Sequence, residues 1–159
     1  MKKENLKELT FVGRPFVETM MDDQKTFTQA NAQMENDEVF KKFLKDNQLE
    51  NQRASMVIFG PENFMYWYGV TVEGNVEVPA GLMKFALPAA EVAKDDANGQ
   101  INAFDVPLNF VLPKFFEKVS EAGFEVYENP GDSETPYFVQ NLDLDTKKLA
   151  QMWYLKASK

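Results

Sequence analysis

Between Met65 and Asp96 the chain spells out strands and turns in an order that few folds use. The aromatic run Met65-Tyr66-Trp67-Tyr68 stops at Gly69 and resumes as Val70-Thr71-Val72. A polar turn around Gly74-Asn75 and the corner Val78-Pro79-Ala80-Gly81 then lead into a further strand that ends at Leu87-Pro88-Ala89. β-branched and aromatic residues bounded by glycine, proline and asparagine read as strands with turns between them. Whatever precedes and follows must supply partners for these strands.

The flanking sequence offers them. Thr10 to Met20 is rich in strand formers but contains Pro15, which predicts an edge position or a bulge. Asn36-Asp37-Glu38 carries helix-start chemistry. Val39, Phe40, Phe43 and Leu44 then recur at helical spacing opposite Lys41, Lys42 and Lys45. Ser55 to Gly60 is a short apolar strand closed by Gly60-Pro61, and Tyr66 to Val72 lies within hairpin distance. The first half reads strand, helix, strand, strand.

The second half repeats that order without repeating residue identity. A strand from Leu82 through Lys94 is broken near Pro88. The next helix is expected over Pro113 to Ala122, with Pro113 in its first turn and Gly123 as its stop, because an interior proline costs about 3 kcal/mol. Phe124 to Tyr127 and Met152 to Leu155 are the remaining strand candidates, joined across the loop Asn129 to Ser133. Residues 1–159 are therefore expected to form one α+β domain: duplicated strand-helix-strand-strand halves in an antiparallel sheet, helices on one face, and a central ligand cleft.

Composition restricts the chemistry. The chain contains no cysteine and no histidine, which removes thiolate and imidazole nucleophiles, most zinc sites and the usual neutral-pH proton shuttle. An enzyme built on it would have to use carboxylates, phenols or lysines. Seventeen basic residues against 25 acidic ones give a net charge of −8, so direct contact with nucleic acid is disfavoured and cationic partners are favoured. The start of the sequence lacks the apolar core of a leader peptide and no apolar run is long enough to span a bilayer, so the expected setting is cytoplasmic, without membrane contact. Asp22-Asp23, Asp95-Asp96 and Asp143-Leu144-Asp145 have neither the ligand count nor the glycine of a calcium loop, so no metal is assigned. Nor is any cofactor.

The stretch from Met65 to Asp96 resembles the GyrI-like effector-binding domains, the ligand-sensing modules of multidrug regulators and their free-standing relatives. The resemblance extends from Leu9-Thr10-Phe11-Val12-Gly13 to the terminal Trp153-Tyr154 strand. It implies a duplicated fold with a cleft that binds a small hydrophobic or aromatic molecule. With the module beginning by residue 10, the chain is similar to the stand-alone members, which lack a preceding DNA-binding segment. In the family the last strand often carries an acidic residue in the pocket. Matching Gln151-Met152-Trp153-Tyr154-Leu155 to that pattern puts glutamine at the acidic position, where a neutral amide offers hydrogen bonds but no counter-charge.

The candidate ligand-binding residues are Tyr66, Tyr68, Trp67, Trp153, Gln151 and Glu18. Strand alternation puts Tyr66 and Tyr68 on one face and Trp67 on the other, and places Gln151, Trp153 and Leu155 together. Two tyrosines supply flat apolar surface with hydroxyl tips. Glu18, expected on the first strand, is the acid that could replace the missing one. Methionines 20, 21, 56, 65 and 83 could line an adaptable pocket. Two other functions stay open: hydrolysis of strained electrophiles, which the resemblance allows and Gln151 disfavours, and inhibition of a protein partner of the gyrase type, which the acidic surface allows. No catalytic residue is assigned.

Overall fold

The computed structural model describes residues 1–158. Eight strands form one sheet: β1 Lys2–Leu6, β2 Leu9–Val17, β3 Gln52–Phe59, β4 Phe64–Glu73, β5 Met83–Leu87, β6 Ala90–Asn98, β7 Tyr137–Asp143 and β8 Lys148–Ala157. Three helices accompany them: α1 Thr28–Glu35, α2 Glu38–Asp46 and α3 Leu108–Glu121. The strand order is β1-β6-β8-β7-β3-β4-β2-β5, with every neighbouring pair antiparallel. The duplication is visible in that order. β2, α1–α2, β3 and β4 make one half and β6, α3, β7 and β8 the other, and the halves meet along β3 and β7.

All three helices lie against one face of the sheet. Phe40, Phe43 and Leu44 of α2, Met34 of α1, and Leu108, Phe115 and Val119 of α3 share a core with Val12, Val57, Tyr66, Tyr68, Phe138 and Trp153. The other face has no helix. Its core of Phe11, Met56, Trp67, Leu87, Val92, Val139, Met152 and Tyr154 comes from strands alone. Strands can bury that face only by curling over it. The ring of Phe85 on β5 lies 5.5 Å from that of Tyr137 on β7. In a flat sheet these strands would be four spacings, roughly 19 Å, apart. The sheet is therefore a half-barrel, with the short link Pro88–Ala89 carrying the chain from β5 to β6.

Two glycines permit the tight pairing of β2 with β4. Gly13 and Gly69 face each other in register. A Cβ on Gly13 would run into the carbonyl oxygen of Tyr68, and one on Gly69 into that of Val12. Pro15 lies beyond the end of β5, where β2 has no neighbour on that side, as its missing N–H demands. At the start of α2 the Asp37 carboxylate accepts the Phe40 N–H and pairs with Arg14, whose Nε donates to the Gly81 carbonyl. Burial works against the Asp37 charge, but these backbone and guanidinium partners win and hold its carboxyl below the ordinary value. Arg14 thus ties β2, α2 and the corner before β5 together.

Three expectations are corrected. α3 begins at Leu108, so Pro113 lies inside it and Pro107 occupies the N-terminal boundary. The turn before Pro113 is worth forming because Leu108 is buried in the helix-side core and its N–H donates to the Lys25 carbonyl. Phe124 to Tyr127 is not a strand. The strand there is Tyr137–Asp143, which fills the central position beside β3, while the short apolar segment after Gly123 runs along the core edge. Glu18 is not on a strand either: β2 ends at Val17, and Glu18 opens a single 3-10 turn to Met20.

Candidate functional site

The helix-side face of the sheet is ordered in rows by strand register. One row runs Phe16, Tyr66, Val57, Phe138 and Trp153; the next runs Arg14, Tyr68, Ser55, Gln140 and Gln151. Tyr66, Tyr68, Trp153 and Gln151 therefore come together on one face. Trp67 lies on the opposite face, edge-on to Phe11 at 5.9 Å.

The first row is aromatic and packed. Phe27 stacks on Tyr66 at 4.2 Å, and Phe64 and Phe59 continue the contact to Trp153, which also meets Phe116 at 5.1 Å. The second row is polar and internally satisfied. Gln151 Nε2 donates to Gln140 Oε1 at 2.8 Å, and Gln140 Nε2 donates to Ser55 Oγ at 3.2 Å. At the position where the family resemblance places an acid, this chain thus has an amide ladder.

The tyrosines are closed over rather than open. Tyr66 and Tyr68 are 2% and 1% exposed. The Tyr66 hydroxyl donates to Asn31 Oδ1 at 2.7 Å, and that of Tyr68 to Glu35 Oε2 at 2.7 Å. Asn31 and Glu35 are four residues apart on α1, so one helix face receives both. Asn31 Nδ2 in turn donates to the Phe104 carbonyl and to Asp105 Oδ1. This seats the turn Ile101–Asp105 over the groove, with the Phe104 ring edge-on to Tyr68 at 5.6 Å. Arg53 holds Glu35 bidentately at 2.7 and 3.1 Å. Burial raises both phenols, and at Tyr68 the Glu35 charge raises it further. Both stay protonated donors at neutral pH.

Open space between the halves lies at the end of this aromatic row. A cavity of about 310 Å³ is lined by Glu18, Met21, Lys25 and Phe64 from the first half and by Leu108, Asn109, Leu112 and Pro113 from the second. Its size falls at the lower end of small-molecule sites. Phe64 forms its inner wall and connects it to Phe27, Tyr66, Phe59 and Trp153. Pro113 has no N–H to give the Asn109 carbonyl, so the helix wall carries an acceptor that an ordinary helix would have used. Glu18 and Lys25 bring one charge of each sign to otherwise apolar walls. Of the methionines, only Met21 reaches this cavity; Met56 lies in the strand-only core, Met65 packs beside that core, and Met20 and Met83 are exposed.

Two acidic fragments have local duties. Asp22 accepts the Gln24 and Thr26 N–H groups and the Thr26 hydroxyl, and Asp143 accepts those of Asp145 and Thr146. The Thr26 hydroxyl, and for Asp143 the Thr146 N–H, are the main causes holding these carboxyls below the ordinary value.

Asn31, Glu35, Phe104, Phe64 and Leu112 were not among the residues expected from sequence. The one signal was the i, i+4 spacing of Asn31 and Glu35. It falls on a helix, TQANAQME, whose weak apolar periodicity gives no cue that this face is turned inward.

No protein-family model matches the sequence, and no curated protein matches it. Solved structures do share the fold. SAV2435 bound to tetraphenylphosphonium matches over 98% of this chain and 93% of its own, with a TM-score of 0.56 and 13% identity. A putative bacterial transcription regulation protein from Staphylococcus aureus MU50 matches over 98% and 97%, with a TM-score of 0.52 and 12% identity. EcmrR, in its complex with DNA, matches over 99% of this chain and 57% of its own, with a TM-score of 0.54 and 6% identity. The fold implied by the GyrI-like resemblance is the fold observed. No helix among the described residues is long and apolar enough to cross a membrane.

Proposed function

We propose that this protein binds a small hydrophobic molecule in the cavity between its halves, with the Glu18 carboxylate favouring a lipophilic cation. The observation that carries the reading is the cavity itself: apolar walls from both halves, an aromatic inner wall at Phe64, and one carboxylate at Glu18. The net charge of −8 adds a long-range bias toward cations. SAV2435, which shares the fold from end to end, was solved with tetraphenylphosphonium. An aryl cation of that kind has the chemistry these walls suit, with rings against Met21, Phe64, Leu108 and Leu112 and positive charge near Glu18. Lys25 opposes it, so Glu18 acts as a bias and not as a sole determinant. Tyr66 and Trp153 back the site through Phe27, Phe59 and Phe64, whereas Tyr68, Gln151 and Trp67 stand away from it.

The test is calorimetric titration with tetraphenylphosphonium and with neutral triphenylphosphine oxide, on the native chain and on Glu18→Gln and Leu112→Asn. The reading expects saturable binding of the cation, weakened by both substitutions, with the neutral compound indifferent to Glu18→Gln. Binding that neither substitution alters would place the ligand elsewhere.

A further inference from the structure

The strand-only core holds one polar atom that nothing satisfies. Tyr154 is 0% exposed, and its hydroxyl has no hydrogen-bond partner, the only such buried side-chain atom among the described residues. Leaving a buried hydroxyl unpaired is costly, and native folds seldom do it without a reason. The packed core around it is apolar and aromatic. Tyr137 stands edge-on to Tyr154 at 5.6 Å and to Phe85 at 5.5 Å, Phe85 meets Trp67 at 6.0 Å, and Met56 and Met152 belong to the same core.

Tyr137 is also a boundary. The residue that packs against Tyr154 lines an external cavity of about 650 Å³ as well, together with Leu9, Thr10, Leu87 and Pro88. Unlike Tyr154, Tyr137 is only half-buried. It therefore lies between open space at the edge of the half-barrel and the ring that carries the unpaired hydroxyl. A lone donor in apolar surroundings suits an acceptor on an otherwise apolar molecule. Burial and the neighbouring Tyr137 both push the Tyr154 phenol up, so it remains a donor across the neutral range.

We propose that the half-barrel interior is a second binding site, distinct from the cavity between the halves. It takes a neutral aromatic molecule carrying one acceptor oxygen, an aryl ketone or ester, with Tyr154 Oη donating to that oxygen and Tyr137 swinging aside to admit it. The site shares no residue with the cavity at Glu18, so the two are separable by experiment.

The methionines report on each site: Met56 and Met152 lie in the strand-only core, and Met21 lines the other cavity. The test is methyl NMR of methionine-labelled protein titrated with acetophenone and with ethylbenzene, which has the same shape without the acceptor. Acetophenone should shift the Met56 and Met152 methyls saturably while Met21 stays in place. Its affinity should fall about tenfold in Tyr154→Phe, the worth of one hydrogen bond, whereas ethylbenzene should not distinguish the two proteins. Unmoved Met56 and Met152 methyls, shifts confined to Met21, or equal acetophenone affinity in Tyr154→Phe would each overturn the proposal. Without any probe, Tyr154→Phe should melt no lower than the native chain. A lower melting temperature would mean that the hydroxyl already has a bound partner, and would overturn it too.

Discussion

Tyr68→Phe removes one oxygen and leaves the ring, so it isolates the bond that closes α1 over the sheet. The hydroxyl donates to Glu35 Oε2 at 2.7 Å inside a residue only 1% exposed. Hydrogen bonds to a charged partner contribute about 1.5 to 3 kcal/mol. Glu35 would keep both Arg53 bonds and is partly open to solvent, so it would not be stranded, and the loss belongs at the low end, about 1.5 kcal/mol. For a chain of this length that is a fall in Tm of roughly 3 to 6 °C. The ring contacts with Phe40 and Phe104 survive the substitution, so packing should contribute little. Urea unfolding of the native chain, Tyr68→Phe, Glu35→Gln and the double variant gives the coupling directly. A Tyr68→Phe stability within about 0.3 kcal/mol of native, or additive single effects, would refute the assignment of this bond as a latch.

Other substitutions test other parts of the account. Trp153→Ala empties a site that is 1% exposed between Phe59 and Phe116, and should cost about 3 to 5 kcal/mol by chemical denaturation; a loss under about 1 kcal/mol would mean that the aromatic row is loose. Gly69→Ala places a methyl against the Val12 carbonyl and should destabilise by more than about 3 kcal/mol, and a neutral result would contradict the close pairing of β2 and β4. The phenols of Tyr66, Tyr68 and Tyr154 are all raised by burial, so the folded state holds their protons more tightly than the unfolded chain does. Their contribution is complete below pH 10 and is lost as pH rises beyond it. Stability should fall above pH 10, and phenolate absorbance from these three residues should appear only with unfolding.

Much of the fold is legible in the sequence because its signals are local. Asp37 with Phe40, Phe43 and Leu44 marks α2, the Gly74-Asn75 turn closes the strand around Tyr66, and Pro15 marks the stretch of β2 that has a neighbour on one side only. Where local and tertiary forces disagree, local reading fails. Pro113 reads as a helix start, yet burial of Leu108 and the Lys25 carbonyl pull the helix a turn earlier. Phe124 to Tyr127 reads as a strand, yet Tyr137–Asp143 holds the place beside β3. The faces of Tyr66, Tyr68 and Trp67 follow from alternation alone. That the tyrosines are sealed by Asn31, Glu35 and Phe104 depends on contacts 33 to 73 residues apart in the chain, and no spacing rule encodes such pairs. Glu18 reads as a strand acid and is instead a turn acid on a cavity wall.

The most direct test of ligand binding between the halves is methyl NMR of the methionine-labelled chain titrated with tetraphenylphosphonium. The account predicts a saturable shift at Met21, with Met56 and Met152 unmoved and the Met21 shift weakened in Leu112→Asn. A silent Met21 beside shifting Met56 or Met152, or no shift at any methionine, would contradict it.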